Sequence, residues 1–138
     1  MALSNDEIHV VVGSDADIVA ARQQGRALAS KLGFSPTDLA MIATAISELA
    51  RNIVLYAKRG EIVLMTEGSS GRRAIVVVAR DEGPGIPDTQ QAMKSGYSTS
   101  GSLGLGLPGV RRLMDDFEIE SIVGKGTVVT AKKWNQWL

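Results

Sequence analysis

A helix-period run from Ala45 to Ala57 carries two polar side chains that an apolar face rejects unless something polar meets them. It reads Ala45-Ile46-Ser47-Glu48-Leu49-Ala50-Arg51-Asn52-Ile53-Val54-Leu55-Tyr56-Ala57. Leu39, Ile42, Ile46, Leu49 and Ile53 recur at helical spacing, so the segment reads as a helix with a broad apolar side. Glu48 and Asn52 stand at i and i+4 and share a face. A carboxylate and an amide beside an apolar stripe are costly without polar partners, and a metal-bound nucleotide supplies them. Two glycine clusters follow downstream, Asp81-Glu82-Gly83-Pro84-Gly85-Ile86 and Gly104-Leu105-Gly106-Leu107-Pro108-Gly109. Each alone is a weak signal, but their order and spacing together are strong.

The rest of the chain narrows the classes. Its 138 residues fit one domain, 1–138, with a sizeable core. The 15 basic and 15 acidic side chains cancel, so no long-range field draws the chain to nucleic acid or anionic lipid. With no cysteine there is no disulfide, thiolate nucleophile or cysteine metal site. The first residues show no charged region followed by an apolar run, and no membrane span is evident. The expectation is a soluble cytoplasmic protein that binds neither nucleic acid nor membrane.

Periodicity and punctuation give an element order. Glu7 to Val12 reads as a strand, and Asp15 as the cap of a helix through about Leu32 that Gly33 stops. Ser35-Pro36-Thr37-Asp38 opens a second helix, with Ser35 as cap, that runs to about Lys58. Glu61–Glu67 and Ala74–Arg80 form a hairpin about Gly68-Ser69-Ser70-Gly71. Asp81 to Ser102 is irregular, with a short helical piece around Thr89 to Lys94. Leu107 to Asp116 is a third helix; Phe117–Val123 and Thr127–Trp134 are strands joined at Gly124-Lys125-Gly126. This order predicts an α/β (α+β) two-layer sandwich, a mixed or largely antiparallel sheet with helices on one face. Glu61–Met65 and Ala74–Ala79 are apolar on both faces, so these strands are either central or meet a partner.

Gly104 to Gly109 fits the dinucleotide pattern G-x-G-x-x-G, but it follows the polar loop Tyr97-Ser98-Thr99-Ser100-Gly101-Ser102 instead of a strand. Gly124-Lys125-Gly126-Thr127 ends like a P-loop yet precedes a strand, and reads as a hairpin turn. What remains for a glycine-rich segment entering a helix is an anion site, where backbone N–H groups face a phosphate. Any one of these glycines alone reads as packing; the set does not.

Asp81 ends an apolar strand before Gly83-Pro84-Gly85, and can accept from an exocyclic amine such as adenine's. Taken alone, a turn aspartate bonding its own backbone is the stronger reading. Glu48 suits a general base for a hydroxyl or water, and Asn52 offers a neutral oxygen to Mg²⁺; the bland alternative is a capped pair on an amphipathic helix. Phosphoryl transfer needs a metal, a phosphate cradle and a positioned nucleophile, and candidates for all three are present. The loop Tyr97 to Ser100 lies between the glycine clusters and reads as a lid or as plain loop. Arg51 reads as solvent-exposed, with a phosphate or partner contact as the alternative. His9, the single histidine, is assigned no role.

These residues carry a family likeness over nearly the whole chain. Glu48-Leu49-Ala50-Arg51-Asn52 resembles the N box of the GHKL superfamily, Asp81 to Gly85 its first glycine box, Gly104 to Leu107 its second, and Gly124 to Thr127 its G-x-G-T turn. The resemblance implies a Bergerat ATP-binding fold with a lid between the glycine boxes. Asp17 to Gln23, Ala45 to Ile53, Gly83 to Asp88 and Ser98 to Gly101 are similar to RsbT-type serine/threonine kinases of the bacterial stressosome. That likeness implies ATP and Mg²⁺ as cofactors, Glu48 as general base and Asn52 as Mg²⁺ ligand. Asp81 then binds adenine, Gly83, Gly85 and Ile86 shape the pocket floor, and Thr127 supports the adenine end. Gly104, Leu105, Gly106 and Leu107 then hold phosphates. Ser102 stands where many histidine kinases have the first glycine of the second box, and Pro108 follows directly, which implies a shorter, differently hinged lid.

The implied partners are STAS-domain scaffold and antagonist proteins, which are phosphorylated on serine or threonine, and a PP2C-type phosphatase that the released kinase activates. A homodimer is a further reading of the doubly apolar strands. Two alternatives stand beside the kinase: an anti-sigma factor kinase, and a nucleotide-gated binding module acting by stoichiometric contact. The phospho-accepting histidine and dimerisation helices of histidine kinases are not seen, nor are the further domains of gyrase, Hsp90 or MutL.

Overall fold

The computed structural model describes residues 7–69, 71–88, 93 and 106–136. The elements run β1 (Ile8–Val12), α1 (Asp15–Lys31), α2 (Pro36–Asn52), a π-helical turn (Ile53–Ala57), β2 (Gly60–Ser69), β3 (Arg72–Asp81), α3 (Gly106–Leu113), β4 (Asp116–Ile122) and β5 (Gly126–Gln136). The strands form one 5-stranded sheet in the order β1-β2-β3-β5-β4, with every pairing antiparallel. Of the mixed and largely antiparallel forms expected, the antiparallel one is realised.

Local chemistry sets the helix ends. Ser35 caps α2 as expected: its side chain accepts from Asp38 N–H, and Pro36 occupies the first turn, where no N–H is needed. The cap of α1 is Ser14, not Asp15, because Ser14 has the extended backbone and accepts from Asp17 N–H. The second helix does reach the neighbourhood of Lys58, but its hydrogen-bond register widens after Asn52 into the π-helical turn. α3 stops at Leu113 instead of Asp116, which already begins β4.

The helices cover one face of the sheet. Ile18 and Ala21 of α1, Ile42, Ile46 and Leu49 of α2 and Val110 of α3 pack with Val12, Ile62, Leu64, Ile75, Val77, Ala79, Val129 and Ala131. Burying a side chain such as Ile46 or Leu49 contributes about 1.5–3 kcal/mol each. The Pro36–Ala57 run, 22 residues, is apolar and long enough to cross a membrane. Here its apolar side forms the centre of the core, the other situation in which such a helix occurs.

β3 is the middle strand and β2 lies next to it, which answers why both are apolar on two faces. On the helix-free face Val63, Val76 and Val78 form a second cluster with Met65 and Val128. Ion pairs flank it, Arg80 to Glu61 at 3.4 Å and Lys132 to Glu67 at 2.7 Å, and the Arg72 guanidinium lies 3.9 Å from the Trp134 ring centre. Long charged stems thus shield these valines.

Candidate active site

The sheet register builds the floor of the site. Val12 pairs with Gly60, Gly60 with Asp81, Asp81 with Thr127, and Thr127 with Ser121, so one row crosses all strands at one end of the sheet. Side chains alternate along a strand, so this row shares the helix-covered face with Ala79 and Val129. Gly60 leaves room there: a Cβ would come within 2.9 Å of Ile53 Cγ2 and 3.1 Å of Asp81 Cβ. The end of the α2 run therefore rests directly on the row.

Asp81 does what the bland reading expected and keeps capacity beyond it. Its Oδ1 accepts from Gly83 N–H at 2.8 Å, which orients the carboxylate and leaves Oδ2 outside that turn. Gly83 fits against the π-helical turn so closely that a Cβ would lie 2.6 Å from Ala57 Cβ. Gly85 has φ 79 and sits under the β4–β5 hairpin, where a Cβ would lie 2.5 Å from Ile122 O. The hairpin holds the loop from its other side, through Gly124 N–H to Pro84 O at 2.8 Å. Ile86 is partly buried against the main core.

Ser121 was not singled out in the sequence, yet it joins three parts of the site. Its Oγ accepts from Ile86 N–H at 2.7 Å and lies 2.8 Å from Thr127 Oγ1. It also donates to Gly126 O at 3.2 Å. Thr127 is buried, and its hydroxyl meets that of Ser121.

On α2, Glu48 is buried and Asn52 half-buried. Glu48 has a partner within the protein. Arg51 Nη1 donates to its Oε1 at 2.6 Å, which corrects the reading of Arg51 as a plain solvent-exposed arginine. The i,i+3 spacing was the available signal. Asn52 ends α2 and makes no capping bond to the turn that follows. Among the described residues no group of three or more His, Cys, Asp or Glu converges to hold a metal. A Mg²⁺ ion held mainly by phosphates and water, with one amide oxygen, fits that donor set.

α3 begins at Gly106, with φ 46, and its Leu107, Pro108, Gly109 and Val110 are buried. It packs against α2. Gly104, Leu105, most of the Thr89–Lys94 piece and the Tyr97–Ser100 loop lie outside the described residues; Met93 is half-buried against the core. His9 is remote, on the helix-free face. Glu61 and Glu7 accept from its ring at 3.2 and 3.0 Å, and those hydrogen bonds raise its pKa above 6.5.

The family comparison agrees with this geometry. Residues 12–133 match the histidine kinase-like ATPase domain. The serine/threonine-protein kinase RsbT of Bacillus subtilis (strain 168) is 52% identical over 130 residues, covering 94% of this chain and 98% of that protein. The chain belongs to the histidine kinase-like ATPase family, as an RsbT-type kinase. Anti-sigma F factors are similar at a greater distance. That of Thermoanaerobacter sp. (strain X514) is 33% identical over 119 residues, covering 83% of this chain and 82% of that protein. That of Caldanaerobacter subterraneus subsp. tengcongensis is 32% identical over 118 residues, with the same coverage of each. In this RsbT-type kinase the matched span takes in both the sheet row and the α2 pair.

Proposed function

We propose that this RsbT-type kinase transfers the γ-phosphate of ATP to a seryl or threonyl hydroxyl on STAS-domain proteins of a cytoplasmic stressosome-type scaffold. Released from that scaffold, it binds and activates a PP2C-type phosphatase. The observation that carries the reading is the juxtaposition of the Gly60–Asp81–Thr127–Ser121 row with the end of the helix bearing Glu48 and Asn52. Residues 1–138 act as a single catalytic domain, and a homodimer would form on the helix-free sheet face, over the charged side chains that cover Val63, Val76 and Val78.

In this reading Asp81 accepts from the adenine amine through Oδ2, with Thr127 beside it. Gly83, Gly85 and Ile86 keep the floor low and apolar. Gly106 and Leu107, at the start of α3, present backbone N–H groups to the phosphates, and Gly104 and Leu105 are assigned to the same role. Asn52 offers its amide oxygen to Mg²⁺, and bound Mg²⁺ neutralises phosphate charge. Glu48 takes the proton of the attacking hydroxyl.

The test is intact-mass spectrometry after mixing the chain with Mg–ATP and the STAS-domain proteins encoded nearest to it, with Glu48→Gln as control. One added phosphate on a STAS protein, absent in the control, is the expected result. A second reading, stoichiometric binding of a sigma factor or other partner, draws on the anti-sigma F factor similarity. A stable partner complex without phosphate transfer would favour it.

A further inference from the structure

Glu48 and Arg51 are unequally exposed: the glutamate side chain is 9% accessible and the arginine side chain 41%. Their 2.6 Å contact is a short charge-assisted hydrogen bond. On a solvated helix face an i,i+3 ion pair does little, because water replaces it readily. Here water has little access to the carboxylate, so loss of the guanidinium leaves a shielded anion without its partner. A free glutamate also samples several rotamers that this bond removes. The bond engages Oε1 and leaves Oε2 as a second acceptor.

We propose that Arg51 is a positioning residue for phosphoryl transfer. It fixes the Glu48 carboxylate through Oε1 so that Oε2 receives the proton of the attacking hydroxyl. The inference rests on the reading of Glu48 as general base. In the step itself the hydroxyl oxygen bonds to the γ-phosphorus, and the bond from that phosphorus to the β–γ bridging oxygen breaks to leave ADP. The proton passes to Glu48. Arg51 gains and loses no proton, since a guanidinium stays charged throughout.

The test compares the wild type with Arg51→Ala, Arg51→Lys, Glu48→Gln and the double variant Glu48→Gln/Arg51→Ala. Total turnover of Mg–ATP is followed with the STAS-domain proteins present, as phosphate transferred plus phosphate released, and folding is checked by thermal melting. Arg51→Ala is expected to lower kcat about ten- to a hundredfold, the scale of a misaligned catalytic group, with KM for ATP little changed. Arg51→Lys is expected to recover part of the loss, and the double variant to be no slower than Glu48→Gln, because Arg51 acts through Glu48. Wild-type kcat in Arg51→Ala overturns the proposal. So does a raised KM at constant kcat, which makes Arg51 a nucleotide contact, or a further loss in the double variant, which makes its role structural. Wild-type turnover in Glu48→Gln removes the general-base reading itself, and the Arg51 proposal with it.

Discussion

Asp81 on β3 and Thr127 on β5 are direct cross-strand partners, so the two residues assigned to the adenine end are set side by side by sheet register and not by loop geometry. Such partners have Cβ atoms about 4.5–5.5 Å apart, within the span of a purine edge.

Asp81→Asn separates the two roles of that carboxylate. The asparagine oxygen still accepts from Gly83 N–H, which preserves the turn. Its amide nitrogen, a donor, then stands where Oδ2 would accept the adenine amine. ATP affinity is expected to fall about ten- to a hundredfold, the 1–3 kcal/mol of an unmade buried hydrogen bond, with the melting temperature little changed. Calorimetry on the folded variant checks it; unchanged affinity would reduce Asp81 to a turn residue.

Much of the fold was legible because local chemistry decided it. Ser35 and Pro36 start α2 as the sequence says, and the apolar spacing of Ile42, Ile46 and Leu49 buries the expected face. What was not legible depends on pairing at a distance. The docking of β5 along β3 has no local signature, and it sets Thr127 beside Asp81, whereas Ser121 meets Thr127 within the β4–β5 hairpin itself. The π-helical turn sets Ala57 against Gly83, a contact between segments far apart in the chain. The Glu48–Arg51 spacing was visible, but whether Arg51 turned to Glu48 or to water depended on burial that only packing sets.

Gly126→Ala tests the close approach that supports the row. Gly126 has φ 138, and a Cβ there would stand 2.1 Å from Asp81 O and 2.9 Å from Glu82 Cα. Both obstacles are backbone atoms, so no side chain can turn aside. The strained conformation alone costs about 1–3 kcal/mol. Urea unfolding should show a lower midpoint, and ATP affinity should fall with it as Asp81 is displaced. A midpoint equal to wild type would mean that the hairpin is looser than this register requires.

His9 gives a pH dependence of known sign. Hydrogen bonds to Glu61 and then Glu7 raise its folded pKa above 6.5. Its protonated form therefore stabilises the fold fully below that unfolded value, and the contribution fades as pH rises through the elevated folded pKa. Arg80 shares Glu61 at 3.4 Å and moderates the effect. An NMR titration of the His9 ring should give a midpoint above 6.5, and His9→Gln should flatten that part of the stability profile. A midpoint at or below 6.5 would show that these carboxylates do not hold the ring in solution.

Lys133 ties the stability of α3 to the sheet beneath it. The side chain is buried, and its Nζ donates to Leu113 O at 2.8 Å, at the helix C-terminus. A cation there meets both an unpaired carbonyl and the negative end of the helix dipole. Lys133→Met keeps the apolar stem and removes the charge and the donor. The orphaned carbonyl costs about 1–3 kcal/mol, offset in part because an apolar residue is easier to bury than an ammonium. The expected net result is a lower urea midpoint. It should be joined by weaker ATP binding, because the other end of α3 carries Gly106 and Leu107. A more stable variant with unchanged ATP affinity would mean that the desolvation cost of Lys133 outweighs its cap, and that α3 is held by its packing on α2.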